Sequence, residues 1–296
     1  MRDTARSDTS SSLESCRPRE YAPPRARPLG RGELGVRSRI RIWGGRLVSK
    51  TNEALGRPTT LSCGLWPWTE LARRHRVDLA HVCAHAGIEV SRLRQPFVRW
   101  PQVTCNRIAQ FACDHFGADA AMAASLTVEA GQFQLLELLV RTAPTVAHGL
   151  SIGCWFFRLL HNGGRIEHER LRSGAHAITW VPPDYAVHSA YVELTFGVTM
   201  RGIQRETQCE HAAATDVGFR RPEVLDHSLY QQVLGCRPRF GAREDCMVIS
   251  ASVAALKMHR RNADVHRKAR DYAQEVLETE TLEASAKDDR YEHPNP

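Results

Sequence analysis

The chain contains no apolar run long enough to cross a bilayer. Its longest, Val146 to Leu160, is interrupted by His148 and Arg158 and reads as a buried helix instead. No apolar segment follows the arginines near the N-terminus, so no secretory signal is expected. Paired-cysteine motifs are also missing. The nine cysteines are odd in number and widely spaced, without a single CxxC. That pattern argues against a disulfide framework and for buried free thiols in a reducing cytoplasm. Aromatics are sparse, at 7%. Only Tyr21 and Trp43 lie among the first sixty residues, too few to interleave a basic stretch with stacking faces for nucleic acid.

Positive charge is present, but in one place. The net charge is +7, and residues 1–60 hold thirteen of the 40 Lys+Arg against six of the 33 acids. The remaining residues carry equal numbers of each sign, so the body of the chain has no global electrostatic reason to bind phosphate. Residues 1–58 lack periodicity of either kind and hold runs such as Thr9–Ser12 and Pro23-Pro24. They read as a disordered basic arm, either a solvated tail or a nucleic-acid contact.

From Trp66 the pattern becomes helical, first to Ala86, then from Pro101 with Cys105, Ile108, Ala112 and Phe116 on one stripe, then through the Ala-rich segment 118–130. FQLLELLVR (133–141) reads as a short apolar strand. A buried helix follows from Pro144 to about Leu160, closed by Asn162-Gly163-Gly164. Segments 165–172 and 175–181 predict a hairpin turning at Ser173-Gly174. A long helix is expected from Pro182-Pro183 to Glu206, a strand near 213–219, a helix over 223–234, strands near 239–240 and 246–250, and a last helix over 263–277. Helices first, then strands mixed with helices and at least one hairpin, predict an α+β fold with a mixed, partly antiparallel sheet. The expected boundaries are an arm to residue 58, a domain over 59–279 and a disordered polar tail over 280–296.

Three pieces of this body resemble a known family. RTAPTVAHGLSIGCWFFRLLHNGGRIEHE (141–169) holds Phe157-Arg158-Leu159-Leu160-His161-Asn162 where the family has an aromatic-Arg-Leu-Leu-His-Asp pattern. RPEVLDHSLYQQVLGCRPRFGAREDCMVIS (221–250) places Pro222, Tyr230, Gly235, Cys236, Phe240, Gly241 and Ala242 at matching positions. The helix Val265–Leu277 looks like the family's connecting segment. Together they are similar to the N-terminal effector-binding domain of AraC-type transcriptional regulators of the arabinose-binding label. Arg221 stands where the family has His, Leu234 where it has Phe, and Arg237-Pro238 disturb the following Pro-Val. The resemblance implies a bacterial sensor that takes a small organic effector in a mostly apolar pocket and couples it to dimer state. The family continues for about a hundred residues with two helix-turn-helix units. This sequence ends at Pro296, so direct DNA reading by the chain is not expected. An interaction protein pairing with a full-length regulator is the alternative. The helical predominance of the first half argues against a cupin-type jelly roll.

Candidate site residues are few. Arg141 would pair an acidic effector group, or else Glu137 or a helix start. Trp155 and His161 combine an apolar body with a polar tip, fitting either a pocket wall or a satisfied core, and His148 reads as a helix-face residue. Gly149-Leu150-Ser151-Ile152-Gly153 matches the nucleophile elbow of serine hydrolases, but its place inside a helical stripe denies it the sharp turn that motif needs. Cys209-Glu210-His211 offers two ligands of the four that a closed zinc site requires, leaving a metal or thiol sensor as a further alternative. No cofactor, metal, membrane contact or enzymatic activity is expected.

Overall fold

A proline in the first turn, where a missing N–H costs nothing, starts the first helix of the domain. Pro67 occupies that place in α1 (Trp66–Arg74). The computed structural model describes residues 58–93 and 95–292, with side chains as far as residue 280. The expected basic arm lies, but for Pro58, outside the described residues.

The first lobe is helical. A short strand β1 (Thr59–Leu61) pairs antiparallel with β2 (Arg99–Pro101). Between them run α1, α2 (Leu79–Ala86) and α3 (Val90–Leu93). The Asp78 side chain caps α2 by accepting from the Ala80 N–H, and Gly87 ends it at φ 73°. After β2 come α4 (Gln102–Phe116) and α5 (Ala120–Ser125), the latter much shorter than the Ala-rich segment predicts. Trp68, Leu71, Ile108 and Phe111 form the core of this lobe, with Ala190 and Leu194 inserted from a later helix.

The second lobe starts with a helix where the sequence predicts a strand. Residues 133–141, expected as a strand, form α6 (Gln134–Arg141). A short apolar run has no decisive period, and here two leucine pairs with no β-branched residue before Val140 favour the helix. Glu137 contributes by reaching back to accept from the Gly131 and Phe133 N–H groups at 2.7 and 3.2 Å. Helix α7 spans Val146–Trp155 rather than starting at Pro144, because Thr145 caps it through the His148 N–H, and a 3-10 turn over Phe157–Leu159 replaces its last part. The hairpin forms as predicted, β3 (Arg165–Arg170) against β4 (His176–Val181), with Gly174 at φ 82° in the turn. Pro182-Pro183 end β4 instead of opening the long helix. The residue before a proline is biased towards extended backbone, and α8 (Ser189–Thr207) begins only after His188 caps it. Strand β5 (Ala214–Phe219), helix α9 (Ser228–Leu234, shorter at its start than expected), strands β6 (Arg239–Phe240) and β7 (Asp245–Ile249) and the short α10 (Ala251–Ala254) follow. Helix α11 runs from Ala263 to Glu292, so residues 280–292, expected in a disordered tail, carry helical backbone.

The main sheet has the order β3-β4-β7-β5-β6, antiparallel except for β5 with β6. The fold is α+β with a mixed sheet. Alternation puts Ile166, Ile178, Trp180, Met247 and Ile249 on one face, packed with Leu150, Tyr191, Phe196 and Met200 from α7 and α8. Helix α11 lies on a separate small core of Leu139, Phe156, Leu159, Ala269 and Ala273. No helix among the described residues is long and apolar enough to cross a membrane.

Candidate functional site

Arg141 stands at the end of α6, where its Nε lies 3.8 Å from Glu206 on α8. Glu206 is buried (4% exposed) and also faces Arg205 at 3.1 Å and Arg260 at 4.0 Å. Arg205 in turn binds Glu137 at 2.8 Å. Arg141 thus helps neutralise an internal carboxylate, the arrangement a buried charge requires. Its sequence alternative, Glu137, is taken by another arginine.

His161 is completely buried. Its Nδ1 is 2.9 Å from the Thr60 hydroxyl, which itself donates to Gln102 Oε1 at 3.3 Å. The hydroxyl therefore accepts from His161, fixing the Nδ1–H tautomer and leaving Nε2 to face the Tyr185 hydroxyl at 3.5 Å. Phe157, Trp180 and Tyr191 surround the ring. Burial, helped by the field of Arg99, lowers its pKa to about 4, so it is neutral. The Asn162-Gly163-Gly164 segment serves this cluster. Neither glycine has positive φ; both are demanded by close approach, since a Cβ on Gly163 would lie within 1.8 Å of the Tyr185 hydroxyl and one on Gly164 within 2.6 Å of the His161 ring.

Trp155 is different. It ends α7 with 64% of its surface exposed. It borders a groove of about 320 Å³ between α7 and α11, together with Ser151, Ile152 and Phe156 on one side and Arg270 and Gln274 on the other. The floor belongs to the small core under α11. Beside it, His148 and His266 bring their Nε2 atoms to 3.2 Å, which ties α7 to α11. Among the described residues no hydrogen bond, ion pair or ring contact joins any two of Arg141, Trp155 and His161. The sequence places them close together; the fold gives each its own environment.

Ser151 is exposed in the middle of α7, with helix on both sides. The two glycines of its motif serve packing: a Cβ on Gly149 would come within 2.9 Å of Met258 and one on Gly153 within 3.2 Å of Val140 on α6. Around Cys209 and His211, and elsewhere among the described residues, no group of three or more His, Cys, Asp or Glu side chains converges. A second recess, about 490 Å³, lies by α1 and α2 against Trp66, Glu70, Arg73 and Asp78. Its polar groups already serve one another: Arg73 and Arg74 bind Glu70 at 2.7 and 3.1 Å, and Arg73 foremost holds that carboxyl down to about 2.

One polar cluster escaped sequence reasoning. Glu193, fully buried in α8, accepts from Arg221 at 2.8 Å and from the Tyr230 hydroxyl at 2.5 Å, and both donors also reach the Ala118 carbonyl. Burial pushes the Glu193 carboxyl up, while Arg221 beside it holds it down. The cluster ties α8 and α9 to the loop before α5. Its signal in the sequence was Arg221 itself, the departure from the His-Pro pattern.

The family model described as the arabinose-binding domain of AraC transcription regulators, N-terminal, matches residues 77–258. Among curated proteins none matches. Of solved structures, the transcriptional regulator CdpR from Pseudomonas aeruginosa is similar in fold, with a TM-score of 0.53 at 9% identity over 75% of this chain and 65% of that one.

Proposed function

The chain belongs to the family of arabinose-binding N-terminal domains of AraC transcription regulators, and from that membership we propose that it senses a small organic effector in the groove between α7 and α11. The family match, covering more than half of the chain, carries the sensor reading. The likeness to CdpR, a transcriptional regulator, supports the same class.

The groove supports the place. It is of the size small ligands occupy, offers apolar and aromatic walls with a few polar groups, and is solvent-accessible. Trp155 supplies a flat, largely exposed face. Arg270, whose contact with Asp271 is a long 3.4 Å, supplies a cation. Of the other two effector-site candidates of the sequence, Arg141 faces the internal Glu206 at 3.8 Å and His161 turns both ring nitrogens to internal hydroxyls. The output element is α11. An effector changes a structure only through unequal affinity for two states, and a ligand lodged against Arg270 and Gln274 bears directly on how α11 sits on α7. The exposed Tyr272 and Val265 on the same helix favour contact with a second copy or a related regulator as the partner event.

Native mass spectrometry of the purified chain tests both parts, through a bound small molecule and through the mass of the assembly. Trp155→Ala should lose the bound molecule with the melting temperature unchanged. Retention of the molecule by that variant would move the effector site elsewhere.

A further inference from the structure

Beyond the groove, α11 is held near residue 280 by a contact of another kind. Arg99, from β2 in the helical lobe, donates through Nη2 to both carboxylate oxygens of Glu280 at 2.8 and 3.1 Å, and through Nε at 3.3 Å. The same Nη2 reaches the carbonyls of Leu159 at 3.2 Å and Arg158 at 3.5 Å. The Arg158 guanidinium lies within electrostatic reach of Arg99 and Glu280 alike. Two cations therefore act on one carboxylate that hydrogen-bonds to Arg99. The donors are also unevenly used: Arg99 Nη1 and Arg158 Nε are buried and meet no acceptor among the described residues. Buried donors of charged groups are normally paired, and unpaired ones are costly.

We propose that Arg99 and Arg158 form a binding site for a small organic carboxylate, and that Glu280 is the competitor built into it. The guanidinium fork recognises carboxylates bidentately, and Glu280 is already a carboxylate on that fork. Its side chain is 34% exposed and that of Arg99 21%, so a ligand reaches the arginines without opening the core. A dicarboxylate brings acceptors for both guanidiniums where Glu280 brings acceptors for one. Because the competitor belongs to α11, ligand and Glu280 side chain exclude each other, and occupancy releases the tie between the helix and β2. The regulatory meaning of that release rests on the sensor reading; the binding itself does not.

The test is calorimetric titration of the full chain with succinate, with inorganic phosphate as the comparison. Glu280→Ala should bind succinate about tenfold more tightly than the unaltered chain, since the site is no longer occupied by its tethered competitor. Arg158→Gln, which leaves the Arg99–Glu280 pair intact, should weaken binding in the Glu280→Ala background about tenfold, with an unchanged melting temperature as the folding control. Saturating succinate should accelerate amide exchange over residues 275–285 of the unaltered chain. Trp155→Ala should leave succinate affinity as it was, which separates this site from the groove. The proposal is overturned if Glu280→Ala gains nothing, if phosphate matches succinate in every variant, or if Trp155→Ala abolishes binding.

Discussion

His148 on α7 and His266 on α11 share a hydrogen bond between their Nε2 atoms, 3.2 Å apart, and only one of the two can be the donor. His266 Nδ1 lies 3.0 Å from the Leu139 carbonyl, which can only accept, so that nitrogen carries the proton. His266 Nε2 is then the acceptor and His148 Nε2–H the donor. Burial lowers both pKa values; Arg270 adds to the effect at His148, and His148, then Arg270, add to it at His266.

The histidines as a group predict acid sensitivity. His161 and His168 are lowered to about 4, in both cases chiefly by burial. A histidine whose folded pKa is depressed favours the fold where it is neutral. Its contribution is complete above about 6.5 and is lost as pH falls towards 4. For His161 alone that is on the order of 3 kcal/mol. The urea midpoint should therefore drop between pH 6.5 and 4, and the His161 imidazole resonances should show a neutral ring down to about pH 4. A ring that titrates near 6.5 would contradict this.

The Glu193 cluster predicts a strong asymmetry between single and double substitutions. Arg221→Met leaves a buried carboxylate without its cation and should cost about 3–5 kcal/mol. Adding Glu193→Gln should recover part of the loss, because no buried charge then remains. Chemical denaturation of the three proteins measures both steps; equal losses in the single and double variants would contradict the pairing.

Two glycines should respond in opposite directions to alanine. Gly235 ends α9 at φ 78°, and a Cβ there would meet Ala213 at 2.3 Å. Both strain and clash oppose Gly235→Ala, which should lower stability by more than about 1 kcal/mol. Gly202 lies inside α8 with nothing within 4 Å of a new Cβ. Gly202→Ala should raise stability by about 0.5–1 kcal/mol through helix propensity alone. Thermal denaturation compares the two directly.

Ser151→Ala should change neither stability by more than a few tenths of a kcal/mol nor any background ester hydrolysis, since an exposed mid-helix serine makes a poor nucleophile and a replaceable helix residue. A loss of hydrolysis specific to this variant would reopen the hydrolase reading.

The legibility of the fold follows the kind of signal involved. Strands β3, β4, β5 and β7 were readable because period-two alternation and a Ser-Gly turn act locally. The 133–141 segment was not, since FQLLELLVR fits either period and the decision rests on Glu137 capping backbone amides up to six residues earlier. The starts of α8 and α9 slipped because Pro182-Pro183 and Pro222 can begin a helix or end what precedes it, and tertiary packing chooses. The same limit applies to the site. The three candidate residues are near one another in sequence, yet the partners that define each one, Glu206, Thr60 and Arg270, come from distant segments. The Arg99–Glu280 pair joins residues at nearly opposite ends of the described chain, where no spacing rule reaches.

The strand order β3-β4-β7-β5-β6 has a consequence for how the chain is made. Strand β7 sits between β4 and β5 and pairs with both, yet it is the last strand to leave the ribosome. Until residue 249 has emerged, β4 and β5 expose the backbone edges that β7 will occupy, and the face holding Ile178 and Val217 has no Met247 between them. Such long-range closure is slow, and unpaired edges are prone to join other chains. A nascent chain arrested before residue 245 therefore holds two half-sheets in search of the same missing strand.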